Sequence, residues 1–278
     1  MHSQYQDIIK KKITDIRNLK TNKFYTKTIT LEYFDFLKKL QSLDFIINTI
    51  ENISSGTIYV LKNSIESECL ESFKNTLNKI SETDQPINPK ILSGAKNGFY
   101  ISKNIDGPGY KAVDRSFYFF SWNKDKTGIY KKIINIYKPL KILNGLEKED
   151  FTKNKPSDGI IERLHVIHYP LGSGQISKHY DPVNTSIFNF GLYATEHGKH
   201  YEKGGFFVED KNRKKILIDK DIRMTDIVIF FPGIIHGVDK IKNKKIKKIK
   251  TIDGRWFFNI NLIQSHEVKK REYTQSID

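Results

Sequence analysis

Three side chains in the C-terminal half of this sequence, His179, Asp181 and His236, are of the types that hold a divalent first-row metal. A fourth, Arg255, presents the charged fork that grips a carboxylate. In His179-Tyr180-Asp181 the imidazole and the carboxylate are two positions apart, so on an extended strand both point to one face. Pro182 follows at once and ends that strand, which fixes where the pair sits. His236, arriving from another strand, completes two imidazoles and one carboxylate. Such a facial set suits non-haem Fe(II) and leaves three coordination positions open for substrate and oxygen. Zinc or manganese on the same three side chains is the other metal reading, but it gives Arg255 no role.

The elements that must present these residues are short strands. From Glu162 onward the chain is broken by Gly, Pro and Asp into apolar or β-branched runs: Arg163–Tyr169, Thr185–Leu192, Gly205–Glu209, Lys215–Ile218, Asp226–Phe231, Ile246–Ile252 and Arg255–Ile263. Strands at this spacing predict a sandwich or barrel. Gly98–Ser102 and Ser116–Trp122 are also strand-like, and Thr127–Leu143 reads as one amphipathic helix. Residues 1–55 read as helical, from Ile8, Ile9, Ile13, Ile16 and Leu19 and from the periodic apolar positions of Leu31–Ile50. Thr57–Leu61 is a short strand run, and Asn63-Ser64-x-Glu66 opens a helix over Glu66–Ile80. The expected organisation is α+β: a helical segment at 1–56 packing on a β domain at 57–278, with the chemistry concentrated in 160–265 and the whole forming one unit.

Composition limits the function classes. The 278 residues carry a formal net charge of +15, with 38% hydrophobic and 12% aromatic residues, too apolar for a disordered chain. A single cysteine, Cys69, excludes an intramolecular disulfide framework and a Cys-based zinc cluster. The longest apolar run, Ile227–Phe231, is far short of a membrane span, and the N-terminus lacks an apolar signal core, so a cytoplasmic location is expected. Only seven of the 47 basic residues are Arg, the type that reads phosphates and base edges bidentately, and seven Lys fall in Lys240–Lys250. This points to compositional bias more than to nucleic-acid binding. A non-enzymatic basic β-barrel that engages nucleic acid or another polyanion through Lys240–Lys250 is the alternative reading, and the same segment could steer an acidic substrate.

The order of motifs is similar to that of the 2-oxoglutarate/Fe(II)-dependent dioxygenase superfamily. The matching stretches are Tyr169-Pro170-x-Gly172-x-Gly174-x-Ile176-x-x-His179-x-Asp181-Pro182, Gly204-Gly205-Phe206-Phe207, Asp226–Pro232 followed by His236-Gly237-Val238, and Gly254-Arg255-Trp256. The resemblance implies a double-stranded β-helix (jelly-roll) core buttressed by the N-terminal helices. It implies Fe(II) on His179, Asp181 and His236, with O2 and 2-oxoglutarate as cosubstrates. Arg255, with Tyr169 as a second candidate, would bind the distal carboxylate of 2-oxoglutarate. Asp181 keeps the carboxylate that halogenating relatives replace by a small residue, so hydroxylation or desaturation of a small-molecule substrate is expected. The chain also resembles the alkylated-nucleic-acid repair branch in Arg255-x-x-x-Asn259, but Ile263 stands where that branch has a second Arg, which disfavours nucleic acid as substrate. Arg115, Trp122, Asn189 and Glu202 are the candidate substrate contacts. His165 and His168 should face opposite ways, while His197, His200 and His266 should lie on the surface.

Overall fold

The structure, a computed structural model, describes residues 3–18, 24–107, 110–183, 185–244, 248 and 250–277. Its N-terminal part comprises α1 (Ser3–Asn18), β1 (Lys27–Glu32), α2 (Tyr33–Lys39), α3 (Leu43–Ser54), β2 (Thr57–Lys62) and α4 (Ser67–Thr83). A long hairpin of β3 (Gly98–Gly107) and β4 (Tyr110–Phe120) follows, then α5 (Ile129–Tyr137) running into a 3-10 turn at Lys138–Asn144. The remaining strands are β5 (Ile160–Pro170), β6 (Gln175–Tyr180), β7 (Asn189–Tyr193), β8 (Lys203–Glu209), β9 (Lys215–Leu217), β10 (Ile227–Phe230), β11 (His236–Lys242), β12 (Gly254–Gln264) and β13 (Gln275–Ser276).

Hydrogen bonds link the strands in the order β1-β2-β10-β7-β12-β5-β4-β6-β11-β8-β9, with β3 on β4 and β13 on β6. β11 touches β12 although four places separate them in that order, so the sheet folds over and two layers face each other. This is the expected jelly-roll. The layer β7-β12-β5 and the layer β6-β11-β8 enclose a cavity between them, and β4 bridges the two along one side.

Period-two alternation decides what faces that cavity. On β12, Trp256, Phe258 and Ile260 are buried on the outer side, where Phe73 of α4 packs on Phe258 at 6.3 Å. Arg255, Phe257, Asn259 and Asn261 point inward and line the cavity. The helices therefore act as a cover: α3 buries Ile46, Ile50 and Ile53 at helical spacing, each side chain worth roughly 1.5–3 kcal/mol of burial. Without that cover the outer face of the sheet would be an exposed apolar surface.

Several elements differ from expectation. The segment read as helical contains β1, which pairs in parallel with β2 and so ties residues 1–56 into the sheet. It is six residues long with no buried position, and its short alternation, Thr28 to Glu32, runs directly into the helical spacing of Leu31–Ile50. The expected helix over Thr127–Leu143 is α5 plus a tighter 3-10 turn, because Pro139 lacks the N–H that an α-helix needs and clashes with the preceding turn. Its start is fixed by Asp125, whose carboxylate accepts from the backbone N–H of Thr127 and Tyr130, both at 2.9 Å. Gly98–Ser102 and Ser116–Phe120 are the ends of one longer hairpin, and Ser121 and Trp122 lie in the turn after it. β11 is not among the strand runs read from the sequence, because its lysines mask the pattern. No strand forms at 251–252, which lie in a turn; Lys245, Ile246, Lys247 and Ile249 of the Lys-rich segment and of the expected Ile246–Ile252 strand lie outside the described residues.

Candidate active site

The antiparallel register of β6 and β11 sets His236 directly opposite His179, bringing the imidazole rings to 4.3 Å between centroids. Asp181 follows two residues after His179, and its backbone N–H donates to the carbonyl of Pro232 at 2.9 Å, in the turn that leads to His236. One ligand atom from each of His179, Asp181 and His236 lies within 4.8 Å of the others, close enough to share one ion. The Nδ1–H of His179 donates to the Ser177 carbonyl (2.7 Å) and that of His236 to the Ile234 carbonyl (2.9 Å). This tautomer places the lone pair on each Nε2, the form a metal ligand needs. Burial, and then the neighbouring His179, push the His236 pKa down to about 4, which keeps it neutral.

Asp181 is held from both sides. Thr274 Oγ1 donates to Oδ1 at 2.7 Å and Asn189 Nδ2 to Oδ2 at 3.0 Å, while His236 Nε2 stands 3.6 Å from Oδ2. Burial opposes the Asp181 charge, while these two hydrogen bonds favour it, and its pKa lies below the usual carboxylate value. Thr274 reaches the site because the C-terminal strand β13 lies on β6, with Ser276 opposite His179. The donor set, its charge and its tautomers thus fit a divalent metal such as iron.

Arg255 lies across from Tyr169 in the β12–β5 register and lines the cavity, but it is not a bare cation. Its Nε and Nη2 donate to Asp219 at 2.8 and 3.3 Å. The same carboxylate accepts from Tyr193 Oη at 2.7 Å and Tyr201 Oη at 2.5 Å. Burial works against the guanidinium charge, and Asp219 more than offsets it. Gly205 makes the cluster possible, since a Cβ there would collide with the Asp219 carboxylate and its φ of +111° suits glycine alone. What faces the cavity is therefore a hydrogen-bonding edge with its charge partly compensated.

The cavity has a volume of about 410 Å³. Of the expected substrate contacts only Asn189 lines it. Arg115 points to the other side of β4, where it donates to His168 Nδ1 (3.0 Å), Ser81 Oγ (2.6 Å) and Asn78 Oδ1 (3.1 Å) and anchors α4. Trp122 stacks on Phe120 at 4.6 Å and donates to the Ala95 carbonyl, away from the cavity. Glu202 accepts from the Lys244 backbone at the sheet edge. His165 and His168 do face opposite ways: His165 lines the cavity, while His168 stacks on Trp256 at 4.3 Å. His266, expected on the surface, lines the cavity and accepts from the backbone N–H of Ile91 at 2.8 Å. His200 likewise is half-buried, accepting from the Glu196 backbone at 2.9 Å. Asp114, Asp219, Asn259 and Thr274 were missed. Asp114 alone left a trace, as an acidic residue in phase with inward-facing Ala112 and Ser116.

No family model matches the chain, and no curated protein matches it by sequence. Solved structures do. It is similar to a prolyl hydroxylase from Trichoplax adhaerens, solved with a peptide fragment of the hypoxia inducible factor oxygen degradation domain, at 12% identity and a TM-score of 0.52, covering 85% of this chain and 94% of that one. It is similar also to a full-length Neurospora crassa protein solved in complex with alpha-KG (2-oxoglutarate), at 13% identity and a TM-score of 0.50, covering 86% of both chains. Among the described residues no helix is long and apolar enough to cross a membrane. The chain has the double-stranded β-helix fold of the 2-oxoglutarate/Fe(II)-dependent oxygenases, with a His-Asp-His set in its cavity.

Proposed function

We propose that the protein is an Fe(II)- and 2-oxoglutarate-dependent oxygenase that hydroxylates a small molecule and releases succinate and CO2. The observation that carries this reading is the convergence of His179, Asp181 and His236, with both Nδ1 atoms tied back to carbonyls and both Asp181 oxygens hydrogen-bonded. Iron held there would supply oxygen activation, with 2-oxoglutarate as the source of two of the electrons. The chain's own residues would fix its ligands, keep Asp181 anionic and limit water. Phe230 and Phe206 pack against the His236 ring at 5.1 and 5.9 Å and form an apolar wall beside it. The cavity-facing edge of Arg255, with Tyr169 across the strand pair, is the candidate grip for the distal carboxylate of 2-oxoglutarate. A cavity of about 410 Å³ suits a small substrate. A purely polyanion-binding barrel gives the His-Asp-His set and its supporting hydrogen bonds no role, and is not favoured.

The test is succinate formation and oxygen uptake by purified protein supplied with Fe(II) and 2-oxoglutarate, together with binding of 2-oxoglutarate in the presence of Mn(II). Turnover that needs both additions, and disappears in His179→Ala and Asp181→Ala, is expected. Metal binding unaltered in both variants would overturn the assignment.

A further inference from the structure

The cavity wall built by β3, β4, β5 and β12 is polar, unlike the apolar wall beside His236. Asp114 stands in it, only 6% exposed. Its Oδ1 accepts from Ser116 Oγ at 2.7 Å, and Ser102, its partner in the β3–β4 register, is a second donor. Among the described residues no cation pairs with it. Ser116 gives its one proton to the carboxylate, so it accepts from His165 Nε2 at 2.8 Å, which leaves His165 Nδ1 to face Arg163 Nη2 at 3.5 Å. Burial, and then Arg163, hold His165 neutral. The nearest positive charge in this network therefore lies three hydrogen bonds from Asp114. Arg163 itself covers the Tyr118 ring at 4.7 Å and donates to Asn261 Oδ1 at 3.4 Å. On β12, opposite His165, the buried Oδ1 of Asn259 accepts no hydrogen bond. The wall thus offers a buried anionic acceptor without a counter-ion and a second acceptor without a donor.

We propose that this wall binds a cationic nitrogen, an ammonium or guanidinium group of the prime substrate, with Asp114 as its counter-ion and Asn259 Oδ1 as a further acceptor. The proposal rests on reading the cavity as the substrate chamber of an oxygenase, and it names the class of molecule that chamber takes. A buried charge needs a paired and hydrogen-bonded partner, and here the protein supplies only the hydrogen bonds. The ligand supplies the charge. The polarised run from Arg163 to Asp114 also orients such a substrate, drawing its cationic end toward β4. The chamber thereby selects the opposite charge from the one the lysine-rich segment would attract from solution.

The experiment compares ligands of one size and different charge on the full-length chain: n-butylammonium and n-butylguanidinium against n-butanol and n-butylurea, by saturation-transfer NMR titration. Wild type is expected to prefer the cations by about tenfold or more, the scale of one charge-assisted hydrogen bond. The preference should vanish in Asp114→Asn and persist in Asp84→Asn, an exposed control. Equal binding of cations and neutral compounds by wild type, or a cation preference that survives in Asp114→Asn, overturns the proposal. The wild-type comparison needs no variant to fold. Titration of wild type with 2-oxoglutarate and Mn(II) tests the oxygenase reading separately: a cation preference without 2-oxoglutarate binding supports the cation site and refutes that reading.

Discussion

Asp181, just past the end of β6, and Asp114, on β4, line the same cavity, and the protein surrounds them in opposite ways. Asp181 meets two imidazoles, a threonine hydroxyl and an asparagine amide, and its pKa lies below the usual carboxylate value. Asp114 meets only serine hydroxyls, and burial lifts its pKa to about 6. The first environment is complete except for a metal; the second is complete except for a charge. The contrast extends to Asp219, which is fully buried yet matched by Arg255 and two tyrosine hydroxyls. An internally compensated carboxylate has a structural task, and one left uncompensated in a cavity marks where a ligand completes the protein.

The largest effect that sharpens this comparison is loss of the metal. Asp181→Asn keeps the shape but removes the charge, and should abolish the Co(II) absorption spectrum that wild type develops on titration, whereas Asp114→Asn should leave that spectrum in place. Equal loss in both would erase the distinction between the two walls. Next in size is Arg255→Met, which strands Asp219 as a buried unpaired charge and should cost about 3–5 kcal/mol in urea unfolding. Adding Asp219→Leu removes the stranded charge and should recover much of that loss, less the acceptor taken from Tyr193 and Tyr201. Affinity for 2-oxoglutarate should not return with stability. If it does, Arg255 serves the fold alone.

Asp114→Asn should act in the opposite direction. The folded-state pKa of about 6 exceeds the ordinary 3.8, so between those values the folded chain binds more protons and stability falls as pH rises. Above about pH 6 the full cost applies, about 3 kcal/mol at most. Asparagine does not ionise, so the variant should unfold at higher urea than wild type near pH 7.5, and the advantage should disappear below about pH 4. A variant no more stable than wild type at either pH would mean that water or a neighbouring group already compensates the carboxylate.

How much of this was legible in the sequence follows from the range of each interaction. His179, Asp181 and Pro182 are local, and period two on a strand predicts their shared face without knowledge of the fold. His236 follows from the strand–turn pattern before it. The Arg255–Asp219 pair spans 36 positions, and Asp219 sits in Asp219-Lys220-Asp221, which looks like any solvated charge run. Thr274 reaches Asp181 across 93 positions. Arg115 lies off the cavity for a similar reason: it adjoins the strand run legible at Ser116–Trp122, but the face of the sheet it occupies depends on α4, whose docking no local pattern encodes. β1 was lost because its alternation, Thr28-Ile29-Thr30-Leu31-Glu32, covers only five residues and its last apolar position also fits the helical spacing of Leu31–Ile50.

The smallest predicted effect concerns that long-range threonine. Thr274→Val removes one of the two hydrogen bonds to the Asp181 carboxylate while preserving volume and β-branching. Losing a support of this kind costs about 10- to 100-fold in metal affinity. The low end is expected here, because Asn189 still holds Oδ2 and both imidazoles keep their carbonyl partners. Co(II) titration should therefore show about tenfold weaker binding in Thr274→Val and near-normal binding in Thr274→Ser, which retains the hydroxyl. A loss shared by both variants would trace to docking of β13 on β6, since serine keeps the donor and gives up only the methyl that helps seat the strand. The metal corner would then depend on how the C-terminal strand is seated, while the Asp114 wall, built on β3, β4, β5 and β12, would not.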